Sequence, residues 1–585
     1  MAKKGRNKER AEPKATAGAT ESAARRLPLW GIGVLVLQLA LMLTAFNRAA
    51  HNGGDTAGYV TLAHSMLDRG TYQDLWQPGQ PPHTKYPPVF PALLAIAITL
   101  GAKTWAALKV VPALFTTLSV MAAYMWVRQR RGDPFGAIVA LLVAASNAVL
   151  WASHWELSDP PFVALTFVAL WAYDRVRVLT PPPDSSAPRP DTRLWLALGA
   201  VATGLAYFTR EAGLPLLVAA GIWLLLQKRW RAAAAMAGGI GAFALVWSLR
   251  ANQGAQYMSE FWMINPYEPD LGRVSFGGLA ARVAQNALGY VTRYVPVGFT
   301  GLRFGVPVML IGIALFVLAV WGWVRRLKSP GVAELFVPMY LGLILLWPQV
   351  WSGDRFALPL FPLLLFYAGE VVVQQAQRLT DPLPKVAIGL TVAVLAIPAL
   401  GAWTREVRLA AGCSSMVRTD GSFACWGPRT NEFVEAALWS GAHLPDSAIV
   451  LTRKPRIFYV ESGLPSETFR FTKDSERFLA FADSVGARYV LMDYLDDAAS
   501  VYIAEALIKK GGSFCSLQGF GPPDKPQTTM LGIMPPENRI EAEVREENGQ
   551  VSVAMKRCPP ELTRPTPLTE RSGRTEQIPL LVGFR

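Results

Sequence analysis

Long apolar runs recur between Leu27 and Trp403, each close to the roughly 20 residues that a helix needs to cross a bilayer. They predict about eleven spans, near 28–46, 104–127, 133–152, 157–174, 194–209, 212–227, 232–249, 304–324, 332–350, 355–373 and 385–403. The loop between the first two spans, 47–103, is too patterned for a plain connector. In it Tyr59, Leu62, Ala63, Met66 and Leu67 recur at helical spacing, which predicts an amphipathic helix over Asp55–Arg69 suited to the membrane surface. Pro87–Leu100 is apolar but short of a span, and its opening prolines fit the first turn of a second juxtamembrane helix.

After Trp403 the pattern changes. Ala448–Thr452, Glu467–Phe471 and Arg488–Met492 read as strands, alternating with helices over Pro455–Ser462 and Ser475–Gly486. That order predicts a mostly parallel sheet of doubly wound type. Ile540, Ala542 and Val544, then Val551, Val553 and Met555, alternate with polar residues around Asn548-Gly549, the pattern of a hairpin. The chain therefore reads as a polytopic α-helical membrane protein with a C-terminal exported α/β domain. Its parts are a disordered basic tail over 1–27, a membrane domain over 28–403 and a soluble domain over 404–585.

Composition agrees with this division. Charged residues are 17% and hydrophobic ones 51% of 585 residues, where a soluble protein carries about 25% charged. An ordinary cytosolic enzyme is excluded. Lys and Arg exceed Asp and Glu by 57 to 43, and the excess reads as topology rather than as a nucleic-acid footprint. Alternate loops, beginning with the N-terminal tail, hold 23 Lys and Arg against 11 in the other set. The positive-inside rule then places the N-terminus in the cytoplasm and everything after Trp403 outside, with the plasma (inner) membrane as the location. Cysteine use points the same way: Cys413, Cys425, Cys515 and Cys558 all follow the last span, as an oxidising compartment favours. Of the three possible pairings we expect Cys413 with Cys425 and Cys515 with Cys558.

Ionisable groups near membrane depth are costly enough to mark candidate chemistry. On the outer side these are Asp55, His83, Lys85, His154, Glu156, Asp159, Arg210, Glu211, Arg250, Asp354 and Arg355. Most also have a structural reading. Asp55 and Asp159 can cap the helices they precede, Arg210 can pair with Glu211, Lys85 can be a loop charge, Asp354 can neutralise Arg355, and His154 can be an interface histidine.

The segments Asp55-Thr-Ala-Gly-Tyr59-Val-Thr-Leu-Ala63 and Lys85-Tyr-Pro-Pro-Val-Phe-Pro91 resemble the first outer loop of the GT-C membrane glycosyltransferases that use polyprenyl-phosphate sugars. That group includes protein O-mannosyltransferases and lipid A aminoarabinose transferases. Leu157-Ser-Asp159-Pro-Pro-Phe, Thr209-Arg-Glu211-Ala-Gly213-Leu and Arg355-Phe-Ala-Leu-Pro359-Leu-Phe-Pro362 extend the resemblance over about 28–403. By that resemblance Asp55 is the catalytic base and Asp159 the second acidic residue. Relatives often have an acidic pair at the first position, whereas Thr56 follows Asp55 here, so a partner carboxylate must come from elsewhere. The resemblance puts Tyr59, Lys85, Tyr86, Arg210, Glu211 and Arg355 on the substrate side, with Lys85, Arg210 and Arg355 as cations for the lipid phosphate.

These residue types suit the reaction. A hydroxyl acceptor needs a carboxylate to take its proton, and a departing lipid phosphate needs cations or a metal ion. A divalent metal is the one cofactor considered, with Asp55, Asp159 and His154 as candidate ligands. The expected function is transfer of a sugar from a polyprenyl-phosphate donor to a glycan, lipid or protein acceptor at the extracytoplasmic face, with inversion. Membrane lipids are the other partners, and nucleic acid is not one. The alternatives are a transporter or flippase, or a glycan polymerase or ligase for lipid-linked sugars. The exported domain contains no phosphate-binding glycine motif and reads as a cap or an acceptor guide.

Overall fold

The structure, a computed structural model, describes residues 29–180, 191–251, 255–539, 544–547, 550–553, 555–569 and 576–583. The N-terminal tail, Ile540, Ala542 and the Asn548-Gly549 turn lie outside these residues. A helix occupies every apolar run singled out above. Five helices, Trp105–Arg131, Trp230–Arg250, Val306–Arg326, Asp354–Ala376 and Leu383–Asp420, are long and apolar enough to cross a membrane. Shorter apolar helices cover Leu29–Thr44, Phe135–Ala145, Arg193–Thr209, Glu211–Leu226 and Val332–Leu346, and Asp159–Leu179 completes the set. The last helix does not stop near Trp403 but continues to Asp420.

A polar knot closes the end of the bundle remote from the C-terminal domain. Arg130 donates to Asp174 at 2.9 Å and to Glu334 at 2.6 Å, and the Tyr367 hydroxyl donates to Glu334 at 2.8 Å. Four helices are tied together there, and the three charged side chains are nearly buried. Such a group is tolerable in low dielectric only because every charge is paired.

One long element was not expected from the sequence. Phe276–Gly289, Tyr290–Tyr294 and Val295–Thr300 form one continuous helical stretch across the loop end of the bundle. Asn286 donates to the carbonyls of Leu345 and Trp347 at 2.8 and 2.9 Å, and a Cβ at Gly298 would lie 2.9 Å from Asp354. Its glycines and arginines keep it below the hydropathy of a span, which is why it reads as loop.

The C-terminal part holds a sheet of β1 (Val450–Leu451), β2 (Ser466–Glu467), β3 (Tyr489–Met492), β4 (Phe514–Phe520) and β5 (Thr528–Ile533), with a separate hairpin of β6 (Val544–Glu547) and β7 (Gln550–Val553), and the edge strand β8 (Lys556–Arg557). The main order is β2-β1-β3-β5-β4-β8. The three expected strands are parallel neighbours. The sheet is nevertheless mixed rather than mostly parallel, because β5 inserts antiparallel between β3 and β4. The cysteines join as expected, Cys413 to Cys425 and Cys515 to Cys558, the latter bridging β4 to the residue after β8.

Alternate strand residues feed two cores. Leu451, Val490 and Met492 pack with Phe478 and Leu479 of Ser475–Val485. Val450, Tyr489 and Leu491 pack with Phe433 and Phe458, and this second core runs without a break into Ala57, Val60, Leu62, Phe90 and Leu94 of the first loop. The apolar face of the helix Gly54–Arg69 is thus packed against protein. Nine of its residues are buried, because the helix Pro455–Ser462 covers the face left open by Val89–Thr99. Backbone bonds stitch the same seam, Ser466 N to Trp76 O at 2.8 Å and Ala50 N to Ser422 O at 2.8 Å.

Close helix contact in the bundle depends on small residues. A Cβ at Gly322 would sit 2.2 Å from the Tyr367 carbonyl oxygen, a backbone atom that cannot swing away. Gly322→Ala should therefore cost about 1–3 kcal/mol and lower the melting temperature in detergent. An unchanged melting temperature would show that these helices do not pack at this distance.

Candidate active site

Asp55 lies in the first turn of Gly54–Arg69, and Gly53 precedes it as the cap residue without a side-chain bond. Its carboxylate is thus not a helix cap and is turned to other groups. Tyr86 donates its hydroxyl to Asp55 Oδ1 at 2.7 Å, and Arg355 Nη1 reaches Oδ2 at 3.3 Å. Arg456 Nη1 stands 3.9 Å from Oδ1. Asp159 opens Asp159–Leu179 with Pro160 and Pro161 behind it, and Ser158 rather than Asp159 is the cap residue. Its buried carboxylate is held by Arg210 and, at 2.6 Å, by Arg355 Nε. Arg355 therefore bridges the two acidic positions.

The remaining candidates surround this bridge. Tyr59, one turn beyond Asp55, shares a hydrogen bond of 3.0 Å with Ser158 and packs against Tyr86 at 4.6 Å between ring centres. Lys85 is no free loop charge: it donates to both Glu260 oxygens at 2.9 and 3.0 Å, with the Tyr257 and Trp351 rings 5.3 and 5.4 Å away. Arg210 pairs with Asp159 and lies over Phe356. Glu211 opens the turn Glu211–Gly213, and its charge reaches the Tyr257 hydroxyl. Asp354 accepts from the backbone N–H of Arg355 at 2.9 Å, while the Arg355 guanidinium itself bonds Asp159 and Asp55. His83 bonds Asp74 at 2.7 Å, and Arg250 donates to the carbonyls of Tyr72 and His83, so both brace the loop.

Two participants escaped the sequence reading, Glu260 and Arg456. Arg456 had a usable signal, because Thr452-Arg-Lys-Pro-Arg456 follows β1 directly, and the carboxyl ends of parallel strands are where such sheets present binding groups. Glu260 had none.

Four cations, Lys85, Arg210, Arg355 and Arg456, face the carboxylates of Asp55, Asp159 and Glu260. Burial would raise the Asp55 pKa, but Arg355, Arg456 and the Tyr86 bond outweigh it and hold the carboxyl well below the usual range. An anion could displace the carboxylates from these guanidiniums. The residues fit a metal poorly. His154 Nε2 faces the Met42 carbonyl oxygen at 3.2 Å, both aspartates face arginines, and no group of three His, Cys, Asp or Glu side chains among the described residues could hold an ion. Beside the cluster an apolar cavity touches Pro160, Leu358 and Pro362, with Thr116, Val149 and Val163 in its wall.

Glu156 is wholly buried, and among the described residues no other side chain bonds its carboxyl oxygens. Burial pushes its pKa up to about 7, with Lys109 opposing. Since its folded-state pKa is raised, the wild type loses stability as pH climbs from near 4.5 through about 7. Glu156→Gln carries no charge at any pH. It should melt above the wild type at about pH 8 and together with it at about pH 4. A difference that does not change with pH would contradict this.

The family of dolichyl-phosphate-mannose-protein mannosyltransferases matches residues 85–249. No curated protein matches the chain. Among solved structures, the archaeal oligosaccharyltransferase AglB from Archaeoglobus fulgidus, in complex with an inhibitory peptide and a dolichol-phosphate, is 14% identical with a TM-score of 0.53, over 88% of this chain and 76% of that one. ArnT from Cupriavidus metallidurans bound to undecaprenyl phosphate is 13% identical with a TM-score of 0.50, over 86% of this chain and 98% of that one. A complex of the Archaeoglobus enzyme with zinc and sulfate is also similar, at 14% identity and a TM-score of 0.51, over 86% of this chain and 72% of that one. The chain thus shares its fold with the archaeal oligosaccharyltransferase AglB and with ArnT.

Proposed function

We propose that the protein is an integral-membrane glycosyltransferase that moves a sugar from a polyprenyl-phosphate donor to an acceptor at the extracytoplasmic face. The observation that carries this reading is the Asp55–Arg355–Asp159 bridge at the mouth of the helical bundle. Asp55 takes the proton of the acceptor hydroxyl as the new glycosidic bond forms. The electron pair of the broken bond stays on the lipid phosphate, where Arg355, Arg210 and Lys85 meet the growing charge. Arg suits this work because its fork grips phosphate oxygens in pairs.

Displacement in one step, with no covalent nucleophile, inverts the anomeric centre. No step is assigned to a metal, because the carboxylates that would hold it are committed to arginines. The Lys and Arg asymmetry supports an inner-membrane orientation with the N-terminus in the cytoplasm, the last helix delivering the C-terminal domain outside.

Incubation of the purified protein with a panel of polyprenyl-phosphate sugars, with released polyprenyl phosphate as the readout, tests the reaction. Asp55→Asn should lower turnover by roughly two to four orders of magnitude while donor binding is kept, since the asparagine is as large and cannot take the proton. Turnover near the wild-type rate would remove Asp55 from the chemistry.

A further inference from the structure

The C-terminal domain reaches the candidate base itself. Arg456 stands in the first turn of Pro455–Ser462, on the helix that covers Gly54–Arg69. Its Nη1 donates to the Tyr86 hydroxyl at 2.6 Å, and that hydroxyl donates to Asp55 at 2.7 Å. The order of donation is forced. A guanidinium only donates, so a tyrosine that accepts from Arg456 must give its single proton to Asp55. The guanidinium is clamped between the Trp76 and Tyr86 rings, 5.2 and 5.1 Å from their centres. Its stem crosses Gly58, where a Cβ would lie 3.0 Å from Arg456 Cδ. The glycine leaves room for the arm.

We propose that Arg456 is a positioning residue, acting through Tyr86 to aim the Asp55 carboxylate, so that the active site is complete only when the C-terminal domain is docked on the first loop. This rests on the reading of Asp55 as the base. It gives the domain a part in the chemistry beyond covering the membrane helices. Without a donor, Asp55 is held from two sides, Oδ2 by Arg355 of the bundle and Oδ1 by the Arg456–Tyr86 pair of the seam; when a phosphate draws Arg355 away, the Arg456–Tyr86 pair still holds Oδ1. The oxygen that takes the acceptor proton stays in one place.

The full-length protein, its Arg456→Gln, Arg456→Ala and Tyr86→Phe variants and the Tyr86→Phe/Arg456→Gln double variant test this. The assay uses a polyprenyl-phosphate sugar that the wild type turns over. Arg456→Gln should lower kcat roughly tenfold or more with little change in donor KM. The double variant should be no slower than the slower single variant, because both substitutions cut one relay. Millimolar guanidinium should restore part of the Arg456→Ala rate. Gln77→Ala, which breaks the separate Gln77–Glu467 contact of the same seam at 2.9 Å, should leave kcat alone.

Wild-type kcat in Arg456→Gln overturns the inference, as do fully multiplying losses in the double variant or a matching loss in Gln77→Ala. If Asp55→Asn keeps its turnover, it is the base reading that fails instead. Should no sugar of the panel be turned over, labelling of Asp55 by dicyclohexylcarbodiimide at about pH 6, followed by mass spectrometry, takes the place of turnover. A several-fold rise in Arg456→Gln supports the relay, and equal labelling overturns it.

Discussion

Arg355 is the joint on which the rest turns. Through Nε it holds the buried carboxylate of Asp159 at the mouth of one helix, and through Nη1 it reaches Asp55 at the start of another. A charge so placed is costly unless paired, and here two aspartates on separate elements are needed to pair it. That requirement fixes the first loop over the bundle. Tyr86 and Arg456 then carry the fixation into the C-terminal domain, whose second core is continuous with the loop.

The same joint explains how a strongly acidic carboxyl can serve as a base in the proposed reaction. With its arginines in place Asp55 is held well below the ordinary range and binds a proton weakly. A lipid phosphate entering the cluster competes for Arg355, and each bond it takes weakens the hold on Asp55. The base thus gains strength when the donor is seated, and the guanidinium moves from ground-state pairing to stabilising the leaving charge.

Much of this was legible in the sequence wherever a local pattern carries the information. The apolar helices follow from run length, and the Cys413–Cys425 pair from the short loop it closes. Asp55, Asp159 and Arg355 stand in short motifs. The rest depends on what arrives from far along the chain. Arg456 lies about 400 residues from Asp55 in sequence, by the numbering itself, and no periodicity links them. The amphipathic face of Gly54–Arg69 announced a partner but could not distinguish lipid from the helix Pro455–Ser462. Strand β5 and the helix over 276–300 were missed because glycines and polar residues blur their periods, so packing rather than pattern makes them.

An electron cryo-microscopy structure of the protein in lipid nanodiscs with undecaprenyl phosphate bound is the most direct test of the Arg355 joint. Density for the phosphate is expected within hydrogen-bonding distance of Arg355 and of Arg210 or Lys85, with the Arg355–Asp55 contact opened and Tyr86 still on Asp55. A phosphate more than about two Debye lengths from Asp55, roughly 16 Å at physiological salt, with Arg355 still bridging both aspartates, would contradict it.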